Sequence, residues 1–125
     1  MSGVTIVDYD PSWVHEFETL RNIVTPSLSD IVVTIEHVGS TSVPGLSAKP
    51  IIDMDVVVAT RDDVKKAIQR LAILGYVHEG DLGAIGREAF IPPNGVPWHH
   101  LYVCTIDNAE YKRHIMFRDY LKSHP

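Results

Sequence analysis

An α/β (α+β) domain, a mixed β-sheet flanked by helices, is the fold this sequence predicts, and three observations lead to it. Two apolar runs, Ile31-Val32-Val33-Thr34-Ile35 and Ile51-Ile52-Asp53-Met54-Asp55-Val56-Val57-Val58, are rich in β-branched residues and have the length of buried strands. Two other stretches carry apolar residues at helical spacing: Trp13, Val14, Phe17, Leu20 and Val24, then Val64, Ala67, Ile68, Leu71 and Leu74. The chain has 125 residues and a mass of 14.0 kDa, which suits one domain, 1–125, with a modest core.

The elements follow in order. Val4 to Val7 reads as a short strand or an extended arm. Asp10 is placed to cap a helix with Pro11 at its first position, and Glu16, Glu18 and Arg21 fall on its wet side. His15 is expected at the surface. Pro26 to Asp30 is expected to form a turn or a frayed helix end before the first core strand. That strand stops at Gly39-Ser40-Thr41-Ser42. Pro44, Gly45 and Pro50 then forbid a continuous helix or central strand until Ile51. Thr60 suits the cap of a second helix with Asp62 and Asp63 in its first turn, and Gly75 suits its end.

From Tyr76 the pattern shortens into two short strands, Tyr76 to Glu79 and Arg87 to Ile91. Gly80, Gly83 and Gly86 lie in the loop between them and match no phosphate-loop spacing. Arg87 points away from Glu88, either to contact a phosphate or as an ordinary strand cation. A firm turn over 92–97 leads to the last strand, Trp98 to Thr105, with His100 and Tyr102 on one face and Leu101 and Val103 on the other. Asn108 caps a final helix from Ala109 to about Ser123, with Tyr111, Ile115 and Tyr120 or Leu121 inward.

Composition narrows the class. Hydrophobic content of 45% and a mean hydropathy of +0.02 are those of a globular chain. No run reaches the length of a membrane span and the N-terminus does not resemble a signal peptide. A single cysteine, Cys104, has no internal disulfide partner and reads as a small buried residue. A cytoplasmic location is the expectation. The net charge of −5 argues against nonspecific nucleic-acid binding; the one gathering of basic residues, Lys112, Arg113 and Arg118, is expected on the solvated face of the last helix.

Chemistry concentrates between Val32 and Val58. Asp53 and Asp55, two apart in a strand, leave the same face. Two carboxylates in an apolar strand repel and resist desolvation, so one should titrate high, and a divalent cation would relieve both penalties. Gly39, Ser40, Thr41 and Ser42 offer backbone and hydroxyl donors for an anion, with Lys49 and Arg87 as further candidates for phosphate. Glu36 and His37 fall on opposite faces, so at most one shares the carboxylate face, as a partner or general base or simply as part of a solvated strand end.

A Gly-Ser strand end followed by Ile52-Asp53-Met54-Asp55-Val56 resembles the polymerase-beta-like nucleotidyltransferase superfamily. The longer string Ile35-Glu36-His37-Val38-Gly39-Ser40-Thr41-Ser42-Val43-Pro44-Gly45-Leu46 through Lys49-Pro50-Ile51-Ile52-Asp53 resembles one branch of it, the GrpB family. Tyr9-Asp10-Pro11-Ser12-Trp13, His99-His100-Leu101 and Phe117-Arg118-Asp119-Tyr120-Leu121 extend the resemblance over nearly the whole chain. It implies a nucleotidyltransferase-like fold and, on a later strand, a third metal ligand. No acid stands there, so that role is vacant or filled by His100, with Mn²⁺ or Zn²⁺ favoured over Mg²⁺ if the histidine fills it. The family pattern His-His-Leu-His meets Tyr102 at its fourth position here. Such proteins typically continue with a helical segment beyond His124-Pro125, which this chain is expected to lack.

Two functions follow as expectations. One is metal-dependent nucleotidyl or phosphoryl transfer to an acceptor the sequence does not name, with Asp53, Asp55 and His100 as catalytic and metal-holding residues. The other is a catalytically silent module that binds a nucleotide or small anionic metabolite.

Overall fold

The computed structural model describes residues 5–124. Its first helix, α1 (Ser12–Leu28), starts where Asp10 accepts a hydrogen bond from the Ser12 amide through Oδ1 (2.8 Å). Trp13, Phe17, Leu20, Val24 and Leu28 are its buried stripe. Val14, expected in that stripe, is 42% exposed, because one residue past Trp13 is about 100° around the helix. The helix also runs on through Pro26 to Leu28, so of the turn or frayed helix end expected over Pro26 to Asp30 it is the helix end that forms. Proline there removes one hydrogen bond near the end, and the complete burial of Leu28 holds the last turn against the core.

Strand β1 (Val32–Val38) ends in a 3-10 turn, Ser40–Ser42, and the chain returns to the sheet as β2 (Asp53–Val58). Helix α2 (Arg61–Ile73) is capped by Thr60, whose hydroxyl accepts from the Asp63 amide (3.1 Å). It ends in a paired closure: the Tyr76 amide donates to Leu71 and the Gly75 amide to Ala72, with Gly75 at φ +98°. Strands β3 (Val77–Gly80), β4 (Glu88–Ile91) and β5 (His100–Thr105) precede the last helix, α3 (Ala109–Ser123), capped by the Asn108 side chain. The extended arm at the start is pinned by one bridge, Val7 to Ala48; Val4 lies outside the described residues.

The five strands form one mixed sheet in the order β1-β2-β5-β4-β3. β2 and β5 are parallel and every other neighbouring pair is antiparallel. α1 and α2 cover one face, where Met54, Val56, Val58, Leu101, Val103 and Phe90 of the sheet meet Val24, Leu28 and Leu71 in the main core. α3 crosses the other face over a smaller cluster of Val57, Cys104 and Tyr111, with Ile115 packed against it. Cys104 is buried there as expected, and burial pushes its thiol up to about 12. On α3 the inward side continues to Arg118 rather than Tyr120, which is 58% exposed. No helix among the described residues is long and apolar enough to cross a membrane.

Candidate functional site

The parallel pairing of β2 with β5 and the antiparallel pairing of β1 with β2 decide which side chains meet. Asp53 lies opposite Val38 on one side and His100 on the other; Asp55 lies opposite Glu36 and Tyr102. Arg87 stands just before β4, whose Ala89 faces Tyr102. All of these belong to the face that α3 partly covers, and the side left open is a cleft of about 830 Å³. Gly39 and Ser40 form one wall of it, Asp53, Arg87 and Tyr102 its floor, and Arg113, Phe117 and Leu121 of α3 part of the other wall. A smaller recess of about 200 Å³ on the far side of Ser40 is lined by Lys49, Asp53 and His100.

Both strand carboxylates already have partners. His100 Nδ1–H donates to Asp53 Oδ1 at 2.7 Å, and this bond holds the imidazole pKa above its ordinary value. Arg87 Nη2 donates to Asp55 Oδ1, also at 2.7 Å, and its guanidinium carbon sits 3.6 Å from the centre of the Tyr102 ring. Asp55 is completely buried and Arg87 is 8% exposed. Burial pushes the Asp55 carboxyl above the usual carboxylate range, while the charge and hydrogen bond of Arg87 pull the other way. The expected high-titrating carboxylate is therefore Asp55, and of the two expected causes burial leads while the charge of Asp53 contributes least. Asp55 Oδ2 and Arg87 Nε are buried without a hydrogen-bond partner.

The Gly39–Ser42 turn is built for close approach. Gly39 has φ +74°, and a Cβ on it would collide with the Asp53 carboxylate. Of the three hydroxyls expected to grip phosphate, two are used inside the protein. Thr41 Oγ1 is bonded to His37 Nε2 (2.9 Å) and Ser42 Oγ donates to the Gly39 carbonyl (2.5 Å). Ser40 alone is exposed, and it borders both the cleft and the recess. Lys49 is reached from the recess and not from the main cleft, so it and Arg87 act on different sides of Asp53.

The other polar candidates are structural. Glu36 shares the carboxylate face and accepts from Arg118 Nη1 (3.0 Å) and from the Thr34 hydroxyl (2.9 Å). The same Arg118 nitrogen donates to the His37 carbonyl (2.9 Å), tying α3 to β1. Arg118 is thus not on the solvated face, its side chain being 13% exposed; with Tyr111 and Ile115 it falls at 0, 4 and 7 along one helical stripe, the signal that would have found it. His37 is on the opposite face, stacked on Phe17 with centroids 4.8 Å apart, and burial lowers its pKa to about 4. His99 is fully buried: its Nδ1–H donates to the Pro97 carbonyl and Tyr76 O–H donates to Nε2, both at 2.7 Å. Trp98 is 57% exposed and stands edge-on to His100, their ring centroids 6.5 Å apart.

A sheet of this order, with adjacent carboxylates on β2 beside a glycine-serine turn, defines a nucleotidyltransferase-type fold. The structure of Cid1 in complex with the UTP analogue UMPNPP superposes on 95% of this chain and 37% of its own with a TM-score of 0.63, at 13% identity, a likeness of fold alone. Residues 3–125 match the family described as GrpB protein, and the chain belongs to that family. The crystal structure of conserved protein GrpB from Enterococcus faecalis is similar at 34% identity and a TM-score of 0.83, over 97% of this chain and 74% of that one. Among curated relatives, UPF0157 protein YqkA of Bacillus subtilis is 33% identical over 98% of this chain and 36% of its own length. Glutamate-rich protein GrpB of Alkalihalophilus pseudofirmus is 32% identical over 98% and 73% respectively. The chain spans between about a third and about half the length of the first two curated relatives it matches.

The fold class implies a divalent cation between the strand carboxylates, and the side chains present can be tested against one. Among the described residues no three His, Cys, Asp or Glu side chains converge on a common point. Asp55 is sealed and neutralised by Arg87, His100 turns its Nδ1 to Asp53, and the β5 position beside Asp55 is Tyr102. As they stand, these residues do not fit a resident metal ion.

Proposed function

We propose that this domain binds a nucleoside phosphate in the cleft between the Gly39–Ser42 turn and α3. One observation carries the reading: an arginine, Arg87, and the exposed Ser40 line one cleft of about 830 Å³. That volume falls in the range of small-molecule sites, roughly 300–1,000 Å³. The walls are mixed in the way such a ligand requires. Val43, Leu46, Met116, Phe117 and Leu121 offer apolar surface for a base or sugar face, while Arg87 and Ser40 offer donors for phosphate oxygens. The ligand of Cid1, a UTP analogue, belongs to the same chemical class. A thermal-shift panel tests the proposal: nucleoside triphosphates should raise the melting temperature, by about 2.7 kcal/mol of stability at a hundredfold excess over Kd, whereas uncharged nucleosides should not. Equal, negligible shifts with both would end it.

A second reading, group transfer from that nucleotide to an acceptor, is favoured by the Asp53–His100 pair beside the recess. Asp53 takes the Nδ1–H, which leaves Nε2 of neutral His100 as the atom able to accept a proton from an acceptor hydroxyl. His100→Ala should then abolish turnover of labelled nucleotide while leaving its affinity within a few fold. Equal loss of both would assign His100 to binding.

A further inference from the structure

The buried pair of Asp55 and Arg87 is unusual in how little of its hydrogen-bonding capacity it uses. One guanidinium nitrogen meets one carboxylate oxygen, although both side chains have the shape for a two-point contact. Asp55 Oδ2 and Arg87 Nε are left with no partner in a region closed to water, a costly arrangement for polar atoms. The guanidinium instead lies over the Tyr102 ring, 3.6 Å from its centre, and both residues line the cleft. It also sits against the innermost carboxylate of β2, as the cation paired with Asp55.

We propose that Arg87 is the built-in cation of this site and that the phosphate end of the ligand binds to it without a metal ion. The inference rests on the nucleoside-phosphate reading above. Asp55 supplies the counter-charge that keeps a guanidinium in the floor, and Tyr102 supplies the platform that orients it. A phosphate oxygen entering from the Ser40 side meets a guanidinium with donors still to spend, whereas a hydrated divalent ion meets an Asp55 already neutralised. Tyr102 is central to this. A histidine at that position, the residue the family pattern leads one to expect, would add a metal ligand and remove the larger phenol ring on which Arg87 lies.

The experiment uses inorganic triphosphate as probe, in EDTA and in Mn²⁺, read by melting temperature and by calorimetric Kd. The wild-type chain should bind with Kd values that agree within about threefold in the two media. Arg87→Met should weaken binding in EDTA by tenfold or more and, by freeing Asp55, make whatever binding remains dependent on Mn²⁺. Arg87→Lys, which keeps the charge and loses the fork, should fall between. If Arg87→Met does not fold, Asp55→Asn combined with Arg87→Met removes both charges together, and it should show the same loss in EDTA. Wild-type binding that appears only with Mn²⁺ overturns this inference and leaves the nucleoside-phosphate reading standing. Unchanged binding in Arg87→Met overturns it as well. A wild-type chain indifferent to triphosphate in both media overturns both readings.

Discussion

Gly39 takes φ +74° and ψ −175°, a region that only glycine occupies readily, and does so within contact distance of the Asp53 carboxylate. Replacement by alanine adds backbone strain and a methyl group driven into Asp53. Gly39→Ala should cost about 2–4 kcal/mol in a denaturant melt. Gly45, at φ +84° with open space where its Cβ would be, separates the two causes. Gly45→Ala carries the strain alone and should cost about half as much or less; equal losses would mean that the Asp53 contact is irrelevant. The placement of the strand and turn residues Gly39, Ser40, Asp53 and Asp55 was legible because it follows from period-two alternation and a glycine-serine break. The partner of Asp55 was not. Arg87 is 32 residues away in sequence and arrives only through the β4–β5 pairing, so local pattern placed it on a strand without saying what it would face.

Among the helices, α3 is held least by its own burial. Tyr111 is its one buried side chain, whereas α1 buries five. Arg118 compensates with hydrogen bonds to Glu36 and to the His37 carbonyl, and bonds to charged groups contribute about 1.5–3 kcal/mol. Arg118→Ala should therefore release α3 before it endangers the sheet. Amide exchange along α3 should accelerate by tenfold or more while β2 and β5 keep their protection; uniform acceleration would show that α3 and the sheet open as one unit. The helices and strands themselves were readable from periodicity, caps and glycine ends. What was left open or misread lies where tertiary burial outweighed local preference: Leu28 settled the stretch after Pro26 as a helix end, and the Glu36 carboxylate drew Arg118 off the wet side of its helix.

For the molecule as a whole, acid sensitivity follows from histidines on the strands and their approaches. Burial lowers His37 from 6.5 to about 4 and also lowers His99. A group whose folded pKa is depressed below its unfolded value contributes stability that is present at higher pH, and that stability is lost as pH falls below 6.5. His100, raised by Asp53, works in the other direction: its contribution is present below 6.5 and fades as pH rises above it. The raised Asp55 pKa likewise favours the folded state only toward acid, fully below 3.8 and fading as pH rises through its folded value. Between 6.5 and 4 the lowered pKa of His37 amounts to at most about 3 kcal/mol, less what solvent screens. The melting temperature should fall on the order of 10 °C between pH 7 and pH 4. His37→Phe, which keeps the stack on Phe17 and removes the titrating ring, should flatten that decline. A decline of unchanged depth would assign the acid sensitivity to other groups.

The two tryptophans have opposite situations in the finished protein. Trp13 is sunk in the core against Tyr9, and Trp98 stands half in water beside the His100 ring. Their emission is accordingly separable by colour, blue from Trp13 and red from Trp98. Unfolding shifts the blue component, whereas a proton or an occupant arriving at His100 disturbs the red one. The protein therefore carries its own optical distinction between losing its shape and filling the recess beside His100.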